Sequence, residues 1–478
     1  MSNTNQIKII LVLVLLTWQK ISLIQAKSTD STCGPLDVHE NNRYLVHEDG
    51  TPFFWLADTA WQLIHDLDKQ QVDKYLSNRA KKGFTVIQTV ILAEYDGLDK
   101  PNAYGHFVLR EKNPTKPIVK DGPNNDYWDH VEYMLNKAQK LGLYVGLLPT
   151  WGRYVTSNWQ NGIVDGIFNE QNAQIYGKFV GRRFRSHQNI IWIIGGDRAA
   201  PTDTSRTIWR AMAKGIAIGV SGYEDYSKIL MTYHTSGPGA SWWFFNDEKW
   251  IDIRAAQSGH GQNSFNWQLM QTGYSMKPAK PVLDLETAYP GFRHGRPPTT
   301  ATDDHARRGA YWSVFAGACG HTYGHHSIWQ MHDSGTRAIA NPDGYWYEVL
   351  DVPSAAQMGY LRYLMESRPF ITAFPDQAMI LTEQTRPDDY IEALRGDGFA
   401  MIYTPTSKKF TLRLGRIKAE TLTAWWFNPR TGKAKRIGNF RNNSSKEFNP
   451  PGKEQFANDW VLVLDDAGKE FVEPGRTN

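Results

Sequence analysis

The sequence predicts an α/β protein, a (β/α)8 barrel followed by a smaller antiparallel β-sandwich. Three observations carry this reading. Eight short apolar runs alternate with helix-period segments from about residue 43 to 330. Two of those runs, Ile190-Ile191-Trp192-Ile193-Ile194-Gly195-Gly196 and Pro281-Val282-Leu283-Asp284-Leu285, end in a bare carboxylate, Asp197 and Glu286. Buried parallel strands whose carboxyl ends open onto a site read this way. After Pro353 the pattern changes to short alternating runs punctuated by Gly, Pro, Asn and Asp.

The first strand is expected at 53–57. Residues 43–47 precede it across the turn Glu48-Asp49-Gly50, a hairpin signal because Asp-Gly accepts positive φ. The remaining strands are expected at 84–90, 143–148, 189–194, 229–233, 251–256, 281–285 and 321–325. Asp126 caps a helix whose apolar positions Val131, Met134, Leu135 and Ala138 recur at three- and four-residue steps before Gly142 ends it. Similar segments occupy 70–81, 173–184, 207–218 and 305–318, with a last helix at 355–366. No glycine-rich dinucleotide fingerprint follows the first strand, so a closed TIM-type barrel is expected rather than an open doubly wound sheet. In the tail, strands are expected at 378–381, 390–394, 399–403, 410–414, 422–427 and 460–464, with a hairpin turn at Asn428-Pro429-Arg430-Thr431-Gly432-Lys433.

The chain has 478 residues, enough for a barrel of roughly 250 or more plus a companion domain. The expected partition is an export signal at 1–26, the barrel at 27–370 and the sandwich at 371–478. Lys8, the apolar stretch 9–16 and Ala26 give the three-part layout of a secretory signal, so a periplasmic or extracellular location is expected, with no membrane span in the mature chain. A net charge of +4 is too small for a nucleic-acid footprint. Two cysteines, Cys33 and Cys319, make no disulfide framework, and Cys319 reads as a small buried hydrophobe. With 18 Trp and 22 Tyr the chain can offer flat faces to sugar rings, although large cores also use them.

Glycoside hydrolysis needs one carboxylic acid to protonate the leaving oxygen and a second carboxylate to attack the anomeric carbon or activate water. Asp197 and Glu286 follow the fourth and seventh strands, which face each other across a barrel mouth. Asp284, two residues before Glu286, points the same way one layer deeper and reads as a buried partner. Other strand ends supply a lining for a hydroxyl-rich ligand: Asp58 and Trp61 after the first strand, Gln88 at the second, and Trp151 and Arg153 after the third. His234 ends the fifth strand, and Gln257 and His260 follow the sixth. Arg153, Arg198, Arg293 and Arg296 are loop bases able to meet an acidic sugar. His321, His325 and His326 raise a rival reading, a metal-dependent barrel hydrolase. Such sites open with paired histidines after the first strand, where this chain has Ala57-Asp58-Thr59, so no metal or cofactor is expected. No Gly-x-Ser-x-Gly elbow is present for a serine nucleophile.

The segments Asp49-Gly50-Thr51-Pro52-Phe53-Phe54-Trp55-Leu56-Ala57-Asp58-Thr59-Ala60-Trp61, Trp192-Ile193-Ile194-Gly195-Gly196-Asp197 and Leu285-Glu286-Thr287-Ala288-Tyr289-Pro290 resemble glycoside hydrolase family 140, the apiosidase-like barrels. The tail is similar to the small sandwich that follows such barrels and is labelled collagen-binding. The resemblance implies that Asp197 is the acid/base and Glu286 the nucleophile of a retaining mechanism. It implies a plant cell-wall polysaccharide or oligosaccharide as partner, namely the pectin side chain rhamnogalacturonan II, cut between apiose and galacturonic acid. Gly196-Asp197 departs from the Asn-Glu of the wider barrel clan, a shorter acid with no preceding amide, which disfavours a generic cellulase. The competing class is a non-catalytic protein whose sandwich attaches to collagen or polysaccharide.

Overall fold

In the computed structural model, the described residues are 34–476 apart from 160, 262–263 and 295–298. The expected export segment, Cys33 and Arg296 lie outside them. Eight parallel strands form a closed barrel: β1 (Trp55–Thr59), β2 (Val86–Leu92), β3 (Tyr144–Thr150), β4 (Ile190–Gly195), β5 (Met231–His234), β6 (Arg254–Gln257), β7 (Val282–Glu286) and β8 (Gly320–Tyr323). Parallel ladders join β8 to β1, run from β1 to β5, and join β6 to β7. The two remaining seams are closed by single backbone bonds, Asp252 N to Met231 O and Cys319 N to Val282 O, both 3.0 Å.

The helices include α1 (Lys69–Lys81), α2 (Tyr127–Lys140), α3 (Glu170–Phe184), α4 (Asp203–Ser221), α5 (Trp242–Phe245), α6 (Asn266–Ser275), α7 (Asp303–Phe315) and α8 (Pro353–Glu366), with further single turns at Leu63–Asp66 and His326–Trp329. Their starts are set by side chains. Asp68 caps α1 in a reciprocal box with Gln71, and the Asp126 carboxylate accepts from Asp129 N at 2.9 Å at the head of α2. The sequence does not announce α5 and α6. One is a single turn, and the other opens at Phe265 with no side-chain cap.

The tail forms a six-stranded antiparallel sheet and a two-stranded one. Its strands are β9 (Phe374–Pro375), β10 (Glu392–Gly396), β11 (Phe399–Thr404), β12 (Phe410–Arg413), β13 (Thr421–Asn428), β14 (Lys433–Arg441), β15 (Ser445–Phe448) and β16 (Trp460–Asp466). The large sheet runs β9-β10-β11-β16-β13-β14, and β12 pairs with β15. Of residues 378–381, expected as a strand, the first two lie in a 3-10 turn (Gln377–Met379) and Ile380 makes an isolated bridge to Leu412. β14 and β15 carry no apolar alternation in their sequence. β14 pairs with β13 from Asn428↔Lys433 onward across the expected hairpin turn.

The two domains share one core. Met401, Tyr403, Val461 and Val463 join the apolar cluster of the barrel, whereas the alternating Ala400, Ile402, Leu462 and Leu464 fill the sandwich's own core. Trp267 stacks on Tyr390 at 3.8 Å with the planes 3° apart. Arg307 on α7 makes two bonds of 2.8 Å to Asp459, both side chains nearly inaccessible. Asp459→Ala leaves that guanidinium buried without its carboxylate, a loss of about 3–5 kcal/mol. A melting temperature lowered by several degrees is the expected measurement, and an unchanged one means that the interface does not depend on this pair.

Candidate active site

The carboxyl ends of β4 to β7 converge on one cavity of about 930 Å³. Asp197 reaches it because Gly195 and Gly196 turn the chain with φ of 97° and 130°. A Cβ on Gly195 would stand 2.2 Å from His234 O, so glycine is required there. Asp197 follows in the left-handed region at φ 49°. Its side chain is 16% exposed, whereas that of Glu286 is 7% exposed. Gly195 pairs with His234, and Gln257 pairs with Glu286, so adjacent strands bring these groups together.

One imidazole ring joins the two acids. Asp197 N–H donates to His234 Nδ1 at 3.2 Å, so that nitrogen carries no proton and Nε2 carries it. Nε2 stands 3.0 Å from Glu286 Oε2 in an oblique approach that falls short of an in-line hydrogen bond. His260 differs. Its Nδ1 lies 2.8 Å from the carbonyl of Thr287 and its Nε2 lies 3.1 Å from Glu286 Oε1. Both neighbours only accept, so both nitrogens hold protons and the ring is an imidazolium.

These contacts separate the two carboxyl groups. Burial alone would push Glu286 up. The close N–H of His234 and the N–H and charge of His260 outweigh it and hold Glu286 below the ordinary carboxylate range. Burial likewise opposes a charged His260, but Glu286 and the Thr287 carbonyl hold its pKa above the usual histidine value. For Asp197, burial and the charge of Glu286 push the pKa well up, against the pull of Arg198, while Glu94 adds to the push. One acid stays ionised and the other stays protonated.

The remaining expected residues divide. Trp61, Trp151, Gln257 and His260 line the cavity with Asp197 and Glu286. His234 lies beneath it, clamped edge-on by Trp61 at 5.4 Å. Asp58 differs from the expected lining position. It faces outward from β1 to the helix layer, where it binds the Arg79 guanidinium and the Tyr75 hydroxyl of α1. Gln88 lies inside the barrel, its amide donating to Leu285 O at 3.1 Å, because β2 continues to Leu92 and Gln88 is not at its end. Arg153 stays exposed beside the site and donates to Glu94 O at 3.2 Å. Asp284 sits below, fully buried, accepting from Ser258 N and Asn266 Nδ2, and burial pushes it to about 7. Cys319 is buried.

Two features of the site, one lining the cavity and one packed behind it, were not foreseen. Glu94 follows the true end of β2 and accepts from Arg198 Nη2 at 2.8 Å. Tyr289, three residues past Glu286, packs its ring 4.3 Å from His260. Burial and the Glu286 charge keep its hydroxyl protonated beside that carboxylate. Trp159, Trp329, Tyr95 and Phe292 complete an aromatic wall. His321, His325 and His326 do not gather with acids: among the described residues no cluster of three metal-ligating side chains occurs. Nor is any described helix long and apolar enough to cross a membrane.

A barrel with two carboxyl groups of opposite protonation in an aromatic cavity defines a glycoside hydrolase. The chain belongs to the family described as "Apiosidase-like, catalytic domain", whose model matches residues 39–372. A second family model, named for the collagen-binding domain of a collagenase, matches residues 374–465. Two solved structures are similar over nearly the whole chain. One, described as a glycoside hydrolase, is 34% identical with a TM-score of 0.83, covering 92% of this chain and 98% of its own. The other, a glycoside hydrolase family 5 protein from Bacteroides vulgatus, is 33% identical with a TM-score of 0.84, covering 93% and 95%. Among curated proteins none matches.

Proposed function

We propose that the protein is a retaining glycosidase of family 140 that removes a pectin side chain, cleaving rhamnogalacturonan II between apiose and galacturonic acid. The observation that carries the mechanism is the divergence of the two carboxyl groups. Glu286, ionised between His234 and His260, attacks the anomeric carbon. Asp197 gives its proton to the departing oxygen and then takes one from the water that releases the sugar. Tyr289 and Gln257 sit where they can hydrogen-bond the reacting carboxylates. The aromatic wall accepts ring faces of the sugar chain. The sandwich is read as a companion that fixes the barrel, because one face of its sheet is committed to the shared core.

The pH dependence follows from the same divergence. Activity requires ionised Glu286, so it is lost only as pH falls below the ordinary carboxylate range. It requires protonated Asp197, so its alkaline limb lies well above the usual aspartate value. A broad bell is expected in kcat/KM, with its acid limb below the ordinary carboxylate range and its alkaline limb well above the usual aspartate value; a profile without an alkaline limb contradicts Asp197 as the acid.

The substrate is tested by incubating the enzyme with rhamnogalacturonan II, simpler pectins and glucans and separating the products by mass. Release of an apiose-terminated oligosaccharide from the first alone supports the reading. Release from a glucan or a different pectin, with rhamnogalacturonan II intact, overturns the substrate while leaving the glycosidase.

A further inference from the structure

Arg198 follows Asp197 directly, and its guanidinium is buried and permanently charged. Trp159 lies over it at 3.8 Å. Nη1 donates to the Asp197 carbonyl at 2.8 Å and stands 3.7 Å from Asp197 Oδ2. Nη2 donates to Glu94 Oε1 at 2.8 Å. Two carboxyl groups therefore compete for one cation, and Glu94 has the hydrogen-bonded end of it.

We infer that Glu94 is a positioning residue that satisfies Arg198, so that Arg198 does not draw the proton off Asp197. This rests on reading Asp197 as the acid/base. An acid beside an unneutralised guanidinium ionises, because the opposite charge favours the carboxylate. With Glu94 in place the cation is already paired, and the Glu94 charge itself favours a protonated neighbour. The groups facing Asp197 are Glu286, Arg198, Glu94 and Gln257, with His234 against its backbone. Those facing Glu94 are Arg198, Arg153 and Trp151, and Tyr95 is its chain neighbour in the cavity wall. Among the described bases, only Arg198 touches both acids. Burial raises Glu94 above the ordinary glutamate value and Arg198 opposes that rise without cancelling it.

The test is Glu94→Gln, which keeps the shape and removes the charge, with Glu94→Asp retaining the charge. Substrates are rhamnogalacturonan II, whose leaving group needs a proton, and 2,4-dinitrophenyl apioside, whose leaving group does not. The expected result for Glu94→Gln is an alkaline limb moved down by about one pH unit or more. With it goes a fall in kcat of about tenfold at neutral pH on the polysaccharide, with KM little changed, and almost no loss on the aryl glycoside. Glu94→Asp restores most of the limb. An unmoved alkaline limb, or equal losses on both substrates, overturns the proposal and leaves Glu94 a structural residue. Asp197→Ala serves as the control: should it lose kcat/KM equally on both substrates, the acid/base reading itself fails, an outcome separate from failure of the Glu94 role.

Discussion

Glu286→Gln is expected to lower turnover by about 10⁴-fold or more, with the fold intact. The amide cannot attack the anomeric carbon, and among the described residues no second carboxylate lies where it could substitute: Asp284 is buried beneath and bonded to Ser258 and Asn266. The same change carries a stability signature. His260 has a raised pKa, so its contribution to stability is full below the ordinary histidine value of 6.5 and fades as pH rises through its folded value. Glu286 has a lowered pKa, so its contribution is full above the ordinary 4.5 and fades as pH falls through its folded value. The pair therefore stabilises most between about pH 4.5 and 6.5. The melting temperature of Glu286→Gln should fall furthest below that of the unmutated enzyme in this window, and the two should approach each other on either side. A difference independent of pH contradicts the ion pair, and retained turnover removes Glu286 as nucleophile.

Asp197→Ala is expected to cost about 10²–10⁴-fold in kcat/KM on a glycoside with a poor leaving group, and far less in kcat/KM on a 2,4-dinitrophenyl glycoside. The reason is that kcat/KM reports the glycosylation step, which loses only the proton for the leaving group, while Glu286, His234 and His260 keep their contacts with one another. With the good leaving group, glycosylation proceeds and release of the sugar becomes slow. Added azide should then speed turnover, because a small anion occupies the space of the missing carboxyl and attacks without a general base. Equal losses on both substrates, with no azide effect, contradict Asp197 as the acid/base.

Much of this arrangement was legible in the residues. The runs of β4 and β7 are buried on both faces, so β4 has no polar residue and β7 only the buried Asp284 before the carboxylate at the end, and placing Asp197 and Glu286 at strand ends needed no more than that. Aromatic Trp61 and Trp151 follow strands and line the cavity for the same reason. Boundaries were the weak point. Placing the end of β2 at Val90 rather than Leu92 singled out Gln88, a residue inside the barrel, and passed over Glu94 at the real end. Asp58 lies within β1, where alternate residues face the helices, and its partners Tyr75 and Arg79 are some twenty residues away on α1, invisible to strand-end logic. The tautomer of His234 and the charge on His260 depend on which backbone groups they meet, Asp197 N and Thr287 O, and no spacing rule reports that. β14 was hidden because an edge strand can be held by its ladder to β13 while its side chains, Lys433, Lys435, Arg436 and Arg441, stay in solvent.

The most direct measurement is the anomeric configuration of the sugar first released, followed by proton NMR during hydrolysis of rhamnogalacturonan II in deuterated buffer. Attack by an ionised Glu286 and then by water predicts release with the configuration of the original linkage, ahead of mutarotation. First release with the opposite configuration would mean that water attacks directly, and Glu286 would then be a base rather than a nucleophile.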